Sequence, residues 1–196
     1  MKRLREINFI PDYIAYTDGS CNNMSPFGEG GSAFILLNGT KDKVLQTWSK
    51  SLLNTTNNRA ELLAILCALS AVPYGSTVLV RTDSQYCITV LDSPEQYLPK
   101  ANRDIISKCF EVMNKLSVVC FEWVRGHAGS EYNEQADALA DSRREEVRVK
   151  FRIPVYTYKE YKRPFTEEEK LRLRRFNEWM SDSPDYEQYS DMAELK

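Results

Sequence analysis

Hydrophobic positions change their period several times along the chain. Tyr13 to Thr17 (Tyr-Ile-Ala-Tyr-Thr) has the aromatic and β-branched bias of a strand. Gly30 to Leu37 reads as a second strand, and the Asn38-Gly39 dipeptide is a hairpin signal that turns Val44 to Lys50 back against it as a third. From Asn57 to Val72 the period lengthens to that of a helix, with Leu62, Ile65, Leu66 and Leu69 on one face and Pro73 closing the run. Thr77 to Thr82 is short and mostly apolar, as suits a strand buried inside a sheet. A short helix is expected over Ser84 to Leu91, a loop at Asp92-Ser93-Pro94 and Pro99, and an amphipathic helix from about Asn102 to Leu116. Strand Val118 to Val124, loop Gly126 to Gly129 and a helix from Asn133 to about Arg148 complete the pattern. The order βββαβ, then helices, then βα predicts an α/β domain with a mixed five-stranded sheet.

Residues 1–12 read as a lead-in closed by Pro11, residues 13–148 as the domain and residues 149–196 as a C-terminal extension. In the extension no core-forming repeat is visible. Tyr156, Tyr158 and Tyr161 interleave with Lys159, Lys162 and Arg163, and Thr166 with Glu169 makes a capping box before a charged helix to about Met180. Ser181 to Lys196 is polar, carries Pro184, and is expected to be poorly ordered.

The 196 residues suffice for one good core and an appendage. No apolar run approaches the ~20 residues of a membrane span and no signal peptide is visible, so a cytoplasmic location is expected. Five widely spaced cysteines without a Cys-x-x-Cys pair fit a reducing compartment, and with a single histidine they make a zinc site improbable. Any metal here would be held by oxygen. The net charge of −2 conceals three zones: residues 1–142 carry 13 basic against 16 acidic side chains, residues 143–175 carry 12 against 6, and residues 176–196 carry 1 against 6. A local basic stretch of this kind can track phosphates or simply be a solvated face.

The candidate chemistry is acidic. Asp18-Gly19-Ser20 has the composition of a tight turn ending the first strand. Asp83 ends the fourth strand, Glu61 lies in the first turn of the long helix, and Asp137 lies in the last helix. If the first and fourth strands are neighbours, Asp18 and Asp83 project from one edge, where α/β sheets build their sites. Singly, each acid has a bland role: Glu61 and Asp137 as solvated helix residues, Asp83 as a helix cap. Gathered together they would repel one another and suit two divalent cations, Mg²⁺ or Mn²⁺, in phosphodiester hydrolysis.

The segments Tyr16-Thr17-Asp18-Gly19-Ser20, Thr55-Thr56-Asn57-Asn58-Arg59-Ala60-Glu61, Thr82-Asp83-Ser84-Gln85-Tyr86 and Gly126-His127-Ala128-Gly129 with Asn133 and Asp137 occur in this order. Over about Tyr13 to Arg143 the chain resembles type 1 ribonuclease H. The resemblance implies the ribonuclease H-like fold, helices on both faces of the sheet, two Mg²⁺ ions and cutting of the RNA strand of RNA/DNA hybrids to 5′-phosphate and 3′-hydroxyl ends. It implies metal ligation by Asp18, Glu61, Asp83 and Asp137, and a proton-transfer or product-release role for His127 on a mobile loop. It implies minor-groove contacts from Asn57, Asn58 and Gln85, and a DNA-phosphate pocket including Thr56 and Asn102.

Two departures from the resemblance stand out. The basic helix and loop that usually grip the substrate are missing from Cys87 to Ala101, which holds only Lys100 against Asp92 and Glu95. Asn54 stands where an arginine is often found before the Thr-Asn-Asn motif. The stretch Arg143 to Arg175 is then either a replacement handle or a strap with buried tyrosines. A monomer is expected, and the alternatives to a hybrid-cutting enzyme are a non-catalytic hybrid-binding module and a DNA-directed nuclease of the same fold.

Overall fold

A computed structural model describes residues 10–41, 43–93, 99–157 and 164–190. Strands β1 (Tyr13–Cys21), β2 (Gly30–Asn38) and β3 (Val44–Leu52) form an antiparallel meander, and β4 (Thr77–Thr82) and β5 (Val118–Trp123) add to β1 in parallel. The sheet order is β3-β2-β1-β4-β5, which puts β1 and β4 side by side. Helices α1 (Asn57–Ser70), α2 (Gln85–Leu91), α3 (Arg103–Met113) and α4 (Glu131–Lys150) complete the domain.

Strand alternation divides the core between the two faces of the sheet. Ala15, Phe34, Leu36, Val78 and Val80 pack with Leu62, Leu66 and Leu69 of α1 and Ile105, Ile106 and Cys109 of α3. Ile14, Tyr16, Ile35, Leu37 and Leu79 face the other way, with Tyr132 and Leu139 of α4 against them. Each fully buried leucine or isoleucine contributes about 1.5–3 kcal/mol relative to exposure.

The first strand does not end at Asp18. It runs on through Gly19 and Ser20 to Cys21, paired residue for residue with β2, so that Gly19 faces Ser32 and Ser20 faces Gly31. The reason lies in packing rather than in turn chemistry. A Cβ at Gly19 would stand 2.2 Å from the backbone nitrogen of Glu61 in α1, and one at Gly31 would stand 2.1 Å from the carbonyl oxygen of Ala140 in α4. Glycine is therefore required where two helix backbones touch the sheet, one on each face.

The expectations for the extension need two corrections. Beyond α4 the chain bends at Arg152, whose φ is 51°, and Ile153, Tyr156, Phe176 and Tyr189 are all buried in a second cluster with Phe27, Leu53 and Val147. Phe176 lies on α5 (Glu167–Asp182), which opens on the expected Thr166–Glu169 capping box. Pro184–Tyr189 is a short 3₁₀ helix rather than disordered chain, and the Tyr189 carbonyl accepts a hydrogen bond from the Leu53 N–H at 2.9 Å. Aromatic residues spaced far apart in sequence made this core invisible to any periodicity, and Phe27 meets Phe176 edge to face at 5.0 Å. Tyr158 and Tyr161, like residues 191–196, lie outside the described residues.

Phe176→Ala should destabilise the protein by about 3–4 kcal/mol, whereas Leu171→Ala on the exposed side of α5 should stay within about 0.5 kcal/mol. Urea unfolding midpoints of the two variants check this. Equal, small losses would show that the extension is not packed on the domain.

Candidate active site

Asp18 lies mid-strand in β1 on the face covered by α4, and its side chain is buried, with the residue only 7% exposed. Glu61 comes from α1, one residue past its first turn, beside Gly19. Its carboxylate accepts hydrogen bonds from Asn57 Nδ2 at 2.8 Å, from the Ser84 hydroxyl and from the Cys87 thiol at 3.8 Å. Thr56 caps α1 by accepting from the Arg59 N–H, and Asn57 Oδ1 accepts from the Cys21 N–H at 3.1 Å. Asn57 thus ties the end of β1 to Glu61.

Asp83 is the first residue after β4, and it is held from two sides. The Trp123 indole N–H donates to its backbone carbonyl at 3.0 Å, while a Cβ at Gly126 would stand 2.5 Å from Asp83 Oδ2. Ser84, not Asp83, caps α2, its hydroxyl accepting from the Cys87 N–H. Asp137 sits in the second turn of α4 with its carboxylate 3.6 Å from Nδ1 of His127. His127 is largely exposed on its loop and has a left-handed backbone, φ 52°.

A further acid, Asp141, joins this group. It accepts from the Ser20 hydroxyl at 2.5 Å and pairs with Arg144 at 3.1 Å. Its signal in the sequence is the spacing, since Asp141 follows Asp137 by four residues and so shares its helix face. Ser84 and Trp123 were also unforeseen. Their roles depend on loop geometry that no local pattern encodes.

The substrate-contact candidates scatter around this centre. Asn58 and Gln85 are exposed in the first turns of α1 and α2, and Thr56 and Asn54 are exposed before α1. Asn102 begins α3 with φ 59° and donates from Nδ2 to the Tyr86 hydroxyl at 3.2 Å. Arg59 makes a two-pronged contact with Asp104, at 2.9 and 2.5 Å, which fastens α1 to α3. No helix follows α2 before α3 among the described residues, and 94–98 lie outside them.

The electrostatics are those of crowded like charges. Burial, followed by the charges of Asp83, Asp137, Glu61 and Asp141, pushes Asp18 up to about 8. Burial also raises Glu61, against the Ser84 hydrogen bond, and raises Asp137 together with Asp141, against the opposing charge of His127. Among the described residues no three of these side chains are drawn up closely enough to ligate one ion as they stand. They converge at the range over which charges act on one another.

A mixed five-stranded sheet with helices on both faces and acids gathered around Asp18 of β1 and the end of β4 is the architecture of the ribonuclease H-like nucleases. The N-terminal RNase H domain of a Mycobacterium tuberculosis protein, solved as a fusion with maltose-binding protein, matches the fold with a TM-score of 0.59 at 17% identity, covering 71% of this chain and 98% of that one. Residues 11–145 match the RNase H family model. The chain is 35% identical over 144 residues to a ribonuclease H of Jannaschia sp., covering 67% of this chain and 90% of the relative. It is 37% identical over 146 residues to that of Cupriavidus pinatubonensis (67% and 94%), and 34% identical over 155 residues to that of Alcanivorax borkumensis (72% and 97%). The chain belongs to the ribonuclease H family, in its bacterial type 1 branch. Among the described residues no helix is long and apolar enough to cross a membrane.

Between the ordinary aspartate value of 3.8 and about 8 the folded protein holds a proton on Asp18 that the unfolded chain has released. Folding stability without added metal should therefore fall as pH rises through that window. Asp18→Asn removes the penalty, so in chelator the variant should melt several degrees above the parent at pH 8 and level with it near pH 4. Parallel melting curves at every pH would refute the crowding of charge around Asp18.

Proposed function

We propose that the chain hydrolyses the RNA strand of RNA/DNA hybrids endonucleolytically, leaving 5′-phosphate and 3′-hydroxyl ends. The observation that carries this reading is the convergence of Glu61, Asp83, Asp137 and Asp141 on the buried Asp18. A set of carboxylates alone is a hard, all-oxygen donor set, which fits Mg²⁺ or Mn²⁺ and not a thiophilic metal. Asp18, Glu61, Asp83 and Asp137 would hold two such cations, which when bound supply charge neutralisation at the phosphate and activation of the attacking water.

The protein's own groups do the positioning. Asn57 and Ser84 orient Glu61, and Trp123 and Gly126 fix where Asp83 can stand. His127, beside Asp137 on a glycine-flanked loop, can approach the phosphate and exchange a proton with the departing oxygen. Asn58 and Gln85 supply exposed amides for base edges and 2′-hydroxyls, which separate an RNA strand from DNA. Thr56 and Asn102 lie at the starts of α1 and α3, where backbone N–H groups favour a DNA phosphate. Asn57 has its side chain committed between Cys21 and Glu61, so it serves the substrate through their placement.

One chain supplies every acid of the site, so a monomer suffices. All five cysteines are unbridged, which supports a reducing, cytoplasmic setting.

With Mg²⁺, the purified protein should cut the RNA strand of a hybrid and leave the equivalent DNA duplex intact. Asp83→Asn should lower kcat by orders of magnitude while keeping hybrid binding and changing stability by no more than about 1 kcal/mol. Gel analysis of end-labelled substrates checks both. Binding without cutting by the parent would mark a non-catalytic module, cutting of duplex DNA would mark a DNA-directed nuclease, and cutting by Asp83→Asn would refute the ligand assignment.

A further inference from the structure

A cavity of about 440 Å³ opens one step beyond the acidic centre. Its walls are the loop after β1 with Asn22, the residue before β2, Glu29, the α4 side chains Arg144 and Arg148, and Val155 and Tyr156 of the segment after α4. The volume lies within the roughly 300–1,000 Å³ of small-ligand sites. Arg148, Val155 and Tyr156 lie beyond residue 145, where the match to the family model ends, and the last two belong to the extension, which thus helps to make it.

Glu29 is the feature of this cavity that packing does not explain. The residue is 1% exposed, a Ser25 hydrogen bond reaches its carboxyl group, and Oε2 is buried without a hydrogen-bond partner. A buried carboxyl oxygen left unmatched has lost its water without a hydrogen bond in return. Such a penalty is offset when a ligand brings a donor to it. Above Glu29 stand two guanidinium groups. Arg144 reaches across from Asp141, and Arg148 is braced by Glu145 at 2.7 Å and by the Ile153 carbonyl at 3.3 Å.

Position selects the occupant. Along α4 the face that carries Asp137 and Asp141 continues, turn by turn, to Arg144 and Arg148, so acids beside the reacting phosphate give way to bases next door. Along β1 the route from Asp18 through Ser20 and Cys21 leads to Asn22, whose side chain donates to the Tyr156 carbonyl at 3.1 Å. A ligand in this cavity would meet two cations at its mouth and an acceptor in its depth. That pairing matches a nucleotide, with an anionic phosphate and hydroxyl or amino donors on its sugar and base.

We propose that this cavity, closed by the C-terminal extension, is a ribonucleotide subsite taking the RNA-strand unit next to the cut, with its phosphate toward Arg144 and Arg148 and its donors toward Glu29. The proposal rests on the hybrid-cutting reading above. The same chemistry is offered by a unit of the strand or by a free nucleotide.

Val155 is largely exposed on the strap, so Val155→Trp can fill the cavity without disturbing the core, and Leu171→Ala on the exposed side of α5 alters the extension away from it. Steady-state cleavage of a labelled hybrid should show KM raised about tenfold by Val155→Trp with kcat unchanged, and no change for Leu171→Ala. Glu29→Gln, which keeps the shape, should raise KM in the same direction. Calorimetric titration with adenosine 5′-monophosphate separates the sources. Binding to the parent but not to Val155→Trp shows that a free nucleotide enters, whereas no binding to either, with the KM effect intact, confines the site to a unit of the strand. Unchanged KM in Val155→Trp together with no nucleotide binding overturns the subsite while leaving hydrolysis standing. Should the parent fail to cut any hybrid, the proposed function falls and the nucleotide titration alone decides the subsite.

Discussion

Two backbone contacts set where Glu61, Asp137 and Asp141 stand around Asp18. At Gly19 the first turn of α1 rests on β1, and at Gly31 the middle of α4 rests on β2, with no room for a Cβ at either point. The first contact delivers Glu61 to one side of Asp18. The second brings Asp137 and Asp141 to the other. Because both contacts are steric and lie on neighbouring inner strands of the sheet, the acids are held by the backbone and not by flexible side-chain reach. Rigid placement of this kind is what a charged site requires, since the same side chains would move apart if their elements could slide.

Holding them together has an energetic cost, and the surrounding polar groups reduce it unevenly. Glu61 receives hydrogen bonds from Asn57, Ser84 and Cys87, and Asp137 has His127 nearby. Asp18 has the deepest burial and takes the largest upward shift, from burial and four like charges. The centre is thus graded, with its most strained carboxylate in the middle. Local strain concentrated on one strand residue is a functional signature, since a site built for stability alone would place a neutral side chain there.

Much of this was legible in the sequence, and the parts that were not share a cause. The helix period of α1, the hairpin at Asn38-Gly39 and the apolar run of β4 are local signals, and the structure has all three elements close to their expected bounds. Asp18-Gly19-Ser20 misled because turn composition and close packing call for the same residues. Only the α1 backbone pressed on Gly19 distinguishes them. Asp141 shares a helix face with Asp137, a spacing equally common on solvated faces, and only the Ser20 hydroxyl bonded to it marks it as part of the centre. The clamp of Trp123 and Gly126 on Asp83 joins loops that are distant in sequence, so no spacing could announce it.

The extension shows the same limit in a stronger form. Its tyrosines interleave with basic residues, which in sequence suits a nucleic-acid handle and a packing strap equally well. Tyr156 is buried against Phe27, with the ring centres 6.2 Å apart, and Tyr189 packs on Phe151 at 5.3 Å, so these two act as core. Packing and substrate contact need not exclude each other, however. Pinning the strap through Tyr156 fixes Val155 and braces Arg148 through the Ile153 carbonyl, and it does so at the edge of the acidic centre. A chain with Lys100 as its single basic residue between α2 and α3 would gain most from positive charge that is already positioned, because ordering a flexible lysine or arginine on binding costs about 0.5–1.5 kcal/mol per side chain. The buried tyrosine and the half-buried arginine are then two ends of one device, in which hydrophobic packing supplies the order that a phosphate-binding guanidinium would need.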